Sequence, residues 1–307
     1  MTTTIPTLNK IDAAPRWEQR LLAVGRELYR RPASALGTSV VMLFLVLAFF
    51  GPMLAPYDFN QQIYADVRQA PSTTYWFGTD HLGRDVFSRV VLGARSILSI
   101  AGGGTAVAVV IGTVIGLVSG YRGGWVDEII MRSFDSLLSL PALLLALLLL
   151  GTLRSAFGEN VSAISRGFGV LIILIVVYTP IVARVVRSVV LAVKSKGFIE
   201  AARTQGESQA RILFREILPS VVPALAVEAA LRFSYAIFLT ASLGFLGIGV
   251  QPPNPDWGLM VFEGRQNYSQ VPWAMYFPAI TISLLVVAVN LMADGVKRIF
   301  QTGEINA

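Results

Sequence analysis

The sequence predicts an all-α, polytopic membrane protein with six transmembrane helices and both termini cytoplasmic. Three observations carry this. The 307 residues are 54% hydrophobic and only 14% charged, with a mean hydropathy of +0.63, whereas soluble domains carry about 25% charged residues. The apolar residues gather into runs close to the ~20 residues that cross a hydrocarbon core. The Lys and Arg residues concentrate in alternate connecting segments, as the positive-inside rule requires of cytoplasmic loops.

In chain order, residues 16–31 read as a short amphipathic helix at the inner membrane surface, stopped by Pro32, within a cytoplasmic segment 1–34. The first span is expected from Ala35 to about Leu54. No small-residue cleavage site follows it, so it reads as a retained anchor rather than a secretory signal. The second run is Ile97 to about Gly120, and the third is Leu137 to Leu153 with Pro141 inside it. The fourth is Gly169 to about Val190 with Pro180, the fifth Val221 to about Gly249, and the sixth about Ala274 to Ala293. Together they make one membrane domain over 35–300, with a tail at 301–307. A transmembrane barrel would show short alternating segments instead. Internal prolines are tolerated in such helices when neighbouring groups satisfy the freed carbonyls.

With the N-terminus inside, the inner segments hold 17 Lys and Arg residues, among them Arg122, Arg132, Arg184, Arg187, Lys194, Lys196, Arg203, Arg211 and Arg215, and the outer ones seven. The net charge of +6 is therefore a topology signal and not a nucleic-acid signal. The absence of cysteine excludes disulfides, thiolate metal sites and Cys nucleophiles. His81 is the only histidine, which leaves it no partner for a metal. No Gly-x-x-x-x-Gly-Lys-Ser/Thr segment is present to cradle a nucleotide.

The basic island at 194–220 is expected to face the cytoplasm as two short helices. Gly206 would end the first, because glycine accepts the left-handed backbone common after a helix C-terminus. Ser208 would cap the second, and Pro219 would re-enter the membrane. Ala201 and Ala202 would keep one face slim, with Glu200 beside them. Residues 121–135 read as a loop whose Arg122, Asp127, Glu128, Arg132 and Asp135 pair locally or touch a partner. Gly112, Gly116 and Gly120 repeat at a spacing that lets helix backbones approach in lipid.

Glu228 and Arg232 lie inside the fifth run, four apart and so on one helix face. Intramembrane charges usually face a bundle interior or a water-filled path. The pair is read as a mutual ion pair and as a candidate for the pathway or its gate. At the outer mouth, Asp80, Arg84 and Asp85, with Arg89 and Arg95, form either exposed ion pairs or an outer gate or docking surface. Gly244, Gly247 and Gly249, followed by Pro252, Pro253 and Pro255, mark the end of the fifth helix, and Trp257 reads as an interfacial anchor.

The order Glu200-Ala201-Ala202, Gly206, Leu218-Pro219 resembles the EAA loop of permease subunits of bacterial ABC importers. The chain departs from that pattern in having Glu216 before Ile217. The Phe77–Ser96 segment, Gly120–Asp135, Ser242–Gly258, and Asn290 with Asp294-Gly295 extend the resemblance to the C-type permeases of the dipeptide/oligopeptide/nickel importer family, over about 35–300. The resemblance implies an inner-membrane, binding-protein-dependent permease that is not itself an enzyme. Its partners would be a second, different permease subunit, two ATPase subunits and an external substrate-binding protein. ATP and Mg would sit on those ATPases, with no cofactor in this chain. Glu200, Ala201, Ala202, Gly206, Leu218 and Pro219 would form the ATPase-coupling loop. Peptide is the expected cargo, with nickel, glutathione or opine and sugar conjugates as alternatives within the class. An ion-coupled secondary transporter is the rival, and would need sites at broken mid-membrane helices, usually with internal repeats.

Overall fold

The structure is a computed structural model that describes residues 25–157 and 167–302. Residues 16–24 of the expected amphipathic helix and 303–307 of the tail lie outside them. Among the described residues there is no strand, only an isolated antiparallel bridge between Thr79 and Asp85.

A helical stretch over 25–30 ends at Arg31, and α1 (Pro32–Leu54) begins immediately after it. Pro32 sits in its first turn, where a missing N–H costs nothing. Met42, Leu43, Val46, Phe49, Phe50 and Met53 are exposed on α1, as suits a helix bordered by lipid.

α2 (Val86–Arg122) has 37 residues and starts well before the expected Ile97. At 1.5 Å per residue it is about 55 Å long, more than the roughly 30 Å hydrocarbon core. The early start has a local cause. The Asp85 carboxylate accepts the Ser88 N–H at 2.8 Å and caps the helix. Arg89, whose charge argued for a loop, is buried in protein rather than exposed to lipid.

The expected third span is not one helix. α3 (Gly124–Leu138) and α4 (Ala142–Phe157) meet at a bend of 95° around Pro141. Proline clashes with helical geometry in the residue before it and offers no N–H to the ladder. The 121–135 stretch is therefore largely helix rather than loop. α5 (Phe168–Val193) follows and carries Pro180 without a break.

Next come α6 (Gly197–Thr204) and α7, which runs from Gln209 to Phe245 with a π-helical turn over Ile212–Ile217. Leu218 and Pro219 lie within this continuous rod, so Pro219 does not begin a separate helix. The first bond missing at Pro219 and the π turn just before it fall together. α8 (Trp257–Gln266) and α9 (Trp273–Thr302) complete the chain. The described residues thus hold five single helices long and apolar enough to span, or six spans if α3 and α4 count as one.

α2 and α5 form the most extensive contact. A Cβ on Gly112 would come within 2.7 Å of Val182, one on Gly116 within 2.5 Å of the Ala183 carbonyl, and one on Gly120 within 2.9 Å of Val190. The glycine repeat serves close packing inside this chain, as small residues do in bilayers. One apolar core joins α1, α2, α5, α7 and α9. A second, smaller one gathers Leu117, Val182, Val186, Val190, Ile199, Ala202, Ile212, Ile217 and Val221 beneath α6.

Candidate functional site

At one end of the bundle α6 projects as a short amphipathic helix. Ile199 and Ala202 turn inward and are buried in the smaller core, while Glu200, Ala201 and Arg203 face out. Ala202 is therefore an anchor and not part of a slim outer face, which falls to Ala201 alone. The helix ends in a Schellman motif: Glu207 N–H donates to the Ala202 carbonyl at 3.1 Å and Gly206 N–H to the Arg203 carbonyl at 3.0 Å. Gly206 has φ +77°, and nothing lies within 4 Å of where its Cβ would be. Backbone conformation alone therefore requires glycine there. Ser208 Oγ accepts the Arg211 N–H at 3.4 Å and starts α7. Leu218 is half-buried and Pro219 exposed on the α7 side of the hairpin.

The hairpin is tied to its neighbours. The Arg203 guanidinium lies 5.1 Å from the centre of the Tyr121 ring. Lys194 Nζ donates to the Gly120 carbonyl at 2.9 Å at the end of α2. A cavity of about 440 Å³ opens between Tyr121, Arg122, Arg203, Glu207, Gln209 and Ile212. On α3 the charges do not all pair locally. Arg132 holds Glu128 at 2.6 Å, but Asp127 takes a two-pronged bond from Arg187 of α5 at 2.6 and 2.5 Å, and Asp135 pairs with Arg184. These straps between α3 and α5 were not legible in sequence, because each joins residues far apart in the chain.

Within α7, Glu228 Oε1 and Arg232 Nε are 2.8 Å apart. The expected pair is therefore formed. It is not aligned as a hydrogen bond, and both atoms are buried without a hydrogen-bond partner. Arg232 also lies 4.8 Å from the ring centre of Tyr235 and 5.8 Å from that of Tyr178 on α5.

At the opposite end, the charges read as exposed ion pairs or as an outer gate or docking surface form a buried knot around Asp80, Arg84 and Arg89. Asp80 Oδ2 accepts Arg84 Nε at 2.6 Å, and Asp80 Oδ1 accepts the Leu82 and Arg84 N–H groups. Arg84 reaches Glu263 of α8 at 2.7 Å, and Arg89 donates to the Phe59 carbonyl at 3.0 Å. The sequence reading missed Glu263, since nothing in its local pattern points back to Arg84. Asp85 joins the knot only as the helix cap. His81 borders a small cleft with Asp80, Arg89 and Glu263. Trp257 is not an interfacial anchor. It is fully buried, and its Nε1 donates to the Val90 carbonyl at 2.8 Å. Its neighbour Asp256 caps α8 by accepting the Leu259 N–H at 3.0 Å. Burial pushes the Asp256 carboxyl up to about 6, against the opposing pull of backbone donors from Leu259 and Gly258. α8 thus closes this end as a packed plug between α7 and α9.

Comparison with known proteins places this architecture. The family model described as binding-protein-dependent transport system inner membrane component matches residues 112–303, and that for the N-terminal TM domain of oligopeptide transport permease C matches residues 22–71. The dipeptide transport system permease protein DppC of Alkalihalophilus pseudofirmus is 35% identical over 95% of this chain and 91% of its own length. The glutathione transport system permease protein GsiD of Pectobacterium atrosepticum is 35% identical over 97% of this chain and 94% of its own. GsiD of Escherichia coli O157:H7 is 40% identical over 88% of this chain and 86% of its own. Among solved structures, an inward-facing MetNI methionine ABC transporter superposes with a TM-score of 0.54 at 21% identity, over 70% of this chain and 96% of that one. At that identity the likeness is one of fold.

Proposed function

The chain belongs to the family of binding-protein-dependent transport system inner membrane components, and from that premise we propose that it is one of two permease subunits of an ATP-driven peptide importer. Two separate ATPase subunits bind ATP and Mg and supply the energy, and this chain carries no catalytic site of its own. The second permease subunit completes the substrate path, and an external binding protein delivers cargo. Both termini and α6 face the cytoplasm of a bacterial inner membrane, with α8 and the Asp80–Arg84–Glu263 knot outside. Peptide is the cargo because relatives covering nearly the whole chain are named for dipeptide and glutathione transport, and both cargoes are small peptides.

The observation that carries the coupling role is the construction of α6. Its outer face is free, and its inner residues Ile199 and Ala202 are locked into the core that also holds α2, α5 and the start of α7. A partner that displaces α6 therefore displaces helices that cross the membrane. ATP can drive such a switch only if the ATPases bind the two permease states with different affinity. Closure of the ATPases around ATP would supply that difference by drawing the coupling helices together.

Mild-detergent capture of this chain from its native membrane, with mass spectrometry of what accompanies it, tests the assembly. ATPase subunits and a second permease are the expected companions. Recovery of the chain alone, with uptake driven by an ion gradient and unaffected by ATP depletion, would overturn the proposal.

A further inference from the structure

Resting on the peptide-importer reading above, we propose that Glu228 and Arg232 form a binding site for the two charged ends of a short peptide. Arg232 takes its terminal carboxylate, and Glu228 its terminal ammonium.

The pair leaves hydrogen-bonding capacity unused. Buried polar atoms are nearly always hydrogen-bonded, and a buried charged atom without a partner is costly. Glu228 Oε1 and Arg232 Nε are both buried and both lack one, although they sit 2.8 Å apart. They neutralise each other without using their directional capacity. A guanidinium offers five N–H donors in a fork that matches a carboxylate. A carboxylate in turn accepts from an ammonium. The pair is thus charge-neutral when empty and able to take both donors and acceptors from a ligand.

Spacing adds to this. Residues four apart on a helix are separated by a rise of about 6 Å. An extended dipeptide spans about 7 Å from end to end. The charged groups themselves stand 2.8 Å apart, so a zwitterion laid along α7 meets one opposite charge at each end when the two side chains part along the helix. Binding then exchanges one ion pair for two, and the net buried charge stays zero, which limits the cost of holding ions within the membrane. A cationic metal complex would pair with Glu228 alone, and a neutral sugar would form an ion pair with neither group.

The surroundings fit an aromatic-walled passage. Tyr235 and Tyr178 flank the guanidinium. Tyr235 is 53% and Phe238 61% exposed, so this stretch of α7 is left uncovered by the rest of the described chain. Rings can wall a peptide of any side chain, so the charges would fix its ends while leaving the sequence between them unread.

The test uses the assembled permease–ATPase complex without its binding protein, so that any selection comes from the membrane subunits. Retention of radiolabelled dialanine is competed with dialanine, N-acetyl-dialanine, dialanine amide and doubly capped dialanine. Free dialanine should compete at least about tenfold better than either singly capped form, the loss expected for one charge-assisted bond. The doubly capped form should compete least. Arg232→Gln should abolish preference for a free carboxylate, Glu228→Gln preference for a free amine, and Arg232→Lys should restore part of the first. Glu228→Gln with Arg232→Gln removes both charges together and leaves no unpaired ion to oppose folding. If it still co-purifies with its partners but retains no dialanine, the site stands. Equal competition by capped and free peptides, or unchanged binding in the doubly neutral variant, overturns the site but leaves a peptide importer intact. If the complete wild-type importer, binding protein included, takes up no peptide, the peptide reading fails and the site fails with it.

Discussion

Gly206 is a position where the sequence states its own requirement. A left-handed φ with open space around it means that a side chain is penalised by backbone strain, not by a clash. Gly206→Val should cost about 1–2 kcal/mol at the end of α6, and Gly206→Asn distinctly less, because asparagine tolerates this region. ATP-dependent uptake by membranes carrying equal amounts of each variant should fall in that order. Equal uptake by the valine variant would separate α6 geometry from coupling. Asp256 makes a different demand. Its folded carboxyl titrates near 6, above the roughly 3.9 of an unfolded Asp. The folded protein therefore binds more protons between those values, and stability rises as pH falls through about 6 toward 4. Asp256→Asn keeps an acceptor for the Leu259 N–H and removes the buried charge. It should raise the melting temperature in detergent at pH 7.5, with the gain shrinking below about pH 6 and vanishing only near pH 4. A gain that is undiminished at pH 4 would show that charge is not the cause. Gly206 was readable from sequence because its signal is local. The partnership of Arg84 with Glu263, and the burial that perturbs Asp256, depend on a fold that brings distant segments together.

The helices divide in the same way. Apolar runs located α1, α5, α7 and α9, since in lipid the backbone must satisfy itself and a long apolar run becomes a helix. The ends of α2 and the course of α3 and α4 were less visible. Arg89 belongs by sequence to the charges at the outer mouth, yet α2 passes through it because α8 and the 57–60 turn supply polar partners there. Pro141 lies inside an apolar run yet divides two helices, whereas Pro180 on α5 does not. The small-residue repeat on α2 was read correctly as a packing face, and its energetic weight can be measured. Gly116→Val would press a branched side chain against the Ala183 backbone carbonyl and Val186, where no flexible side chain can give way. The variant should lose more than 2 kcal/mol and accumulate poorly as folded protein. Gly151→Val, at a helix position with nothing within 4 Å of its Cβ, should be tolerated. Similar accumulation of the two would mean that α2 and α5 do not pack this tightly in the membrane.

Across the whole chain, the two ends of the bundle carry opposite constructions. One end presents α6, free on its outer face and fixed on its inner one. The other is closed by α8, Trp257 and the buried knot around Arg84. Because the natural sequence has no cysteine, topology can be tested on an otherwise unmodified background. Ser195→Cys, beside α6, and Ser269→Cys, in the turn before α9, are both exposed positions. A membrane-impermeant thiol reagent added to intact cells should label the second and reach the first only after the membrane is opened. Labelling of both from outside would contradict the orientation given by the charge pattern.

By itself, the sequence determined the class of solvent, the helical architecture, the order of most spans, the capped hairpin at Gly206 and the pairing of Glu228 with Arg232. All of these depend on composition, periodicity or neighbours within a few residues. Only the tertiary structure decided which charges are buried, that Arg84 answers to Glu263 and Asp127 to Arg187, that Trp257 is core, and that Ala202 anchors while Ala201 faces out. Each of these depends on desolvation by, or contact with, a segment many residues away. No local pattern encodes that proximity, and the packed bundle supplies it.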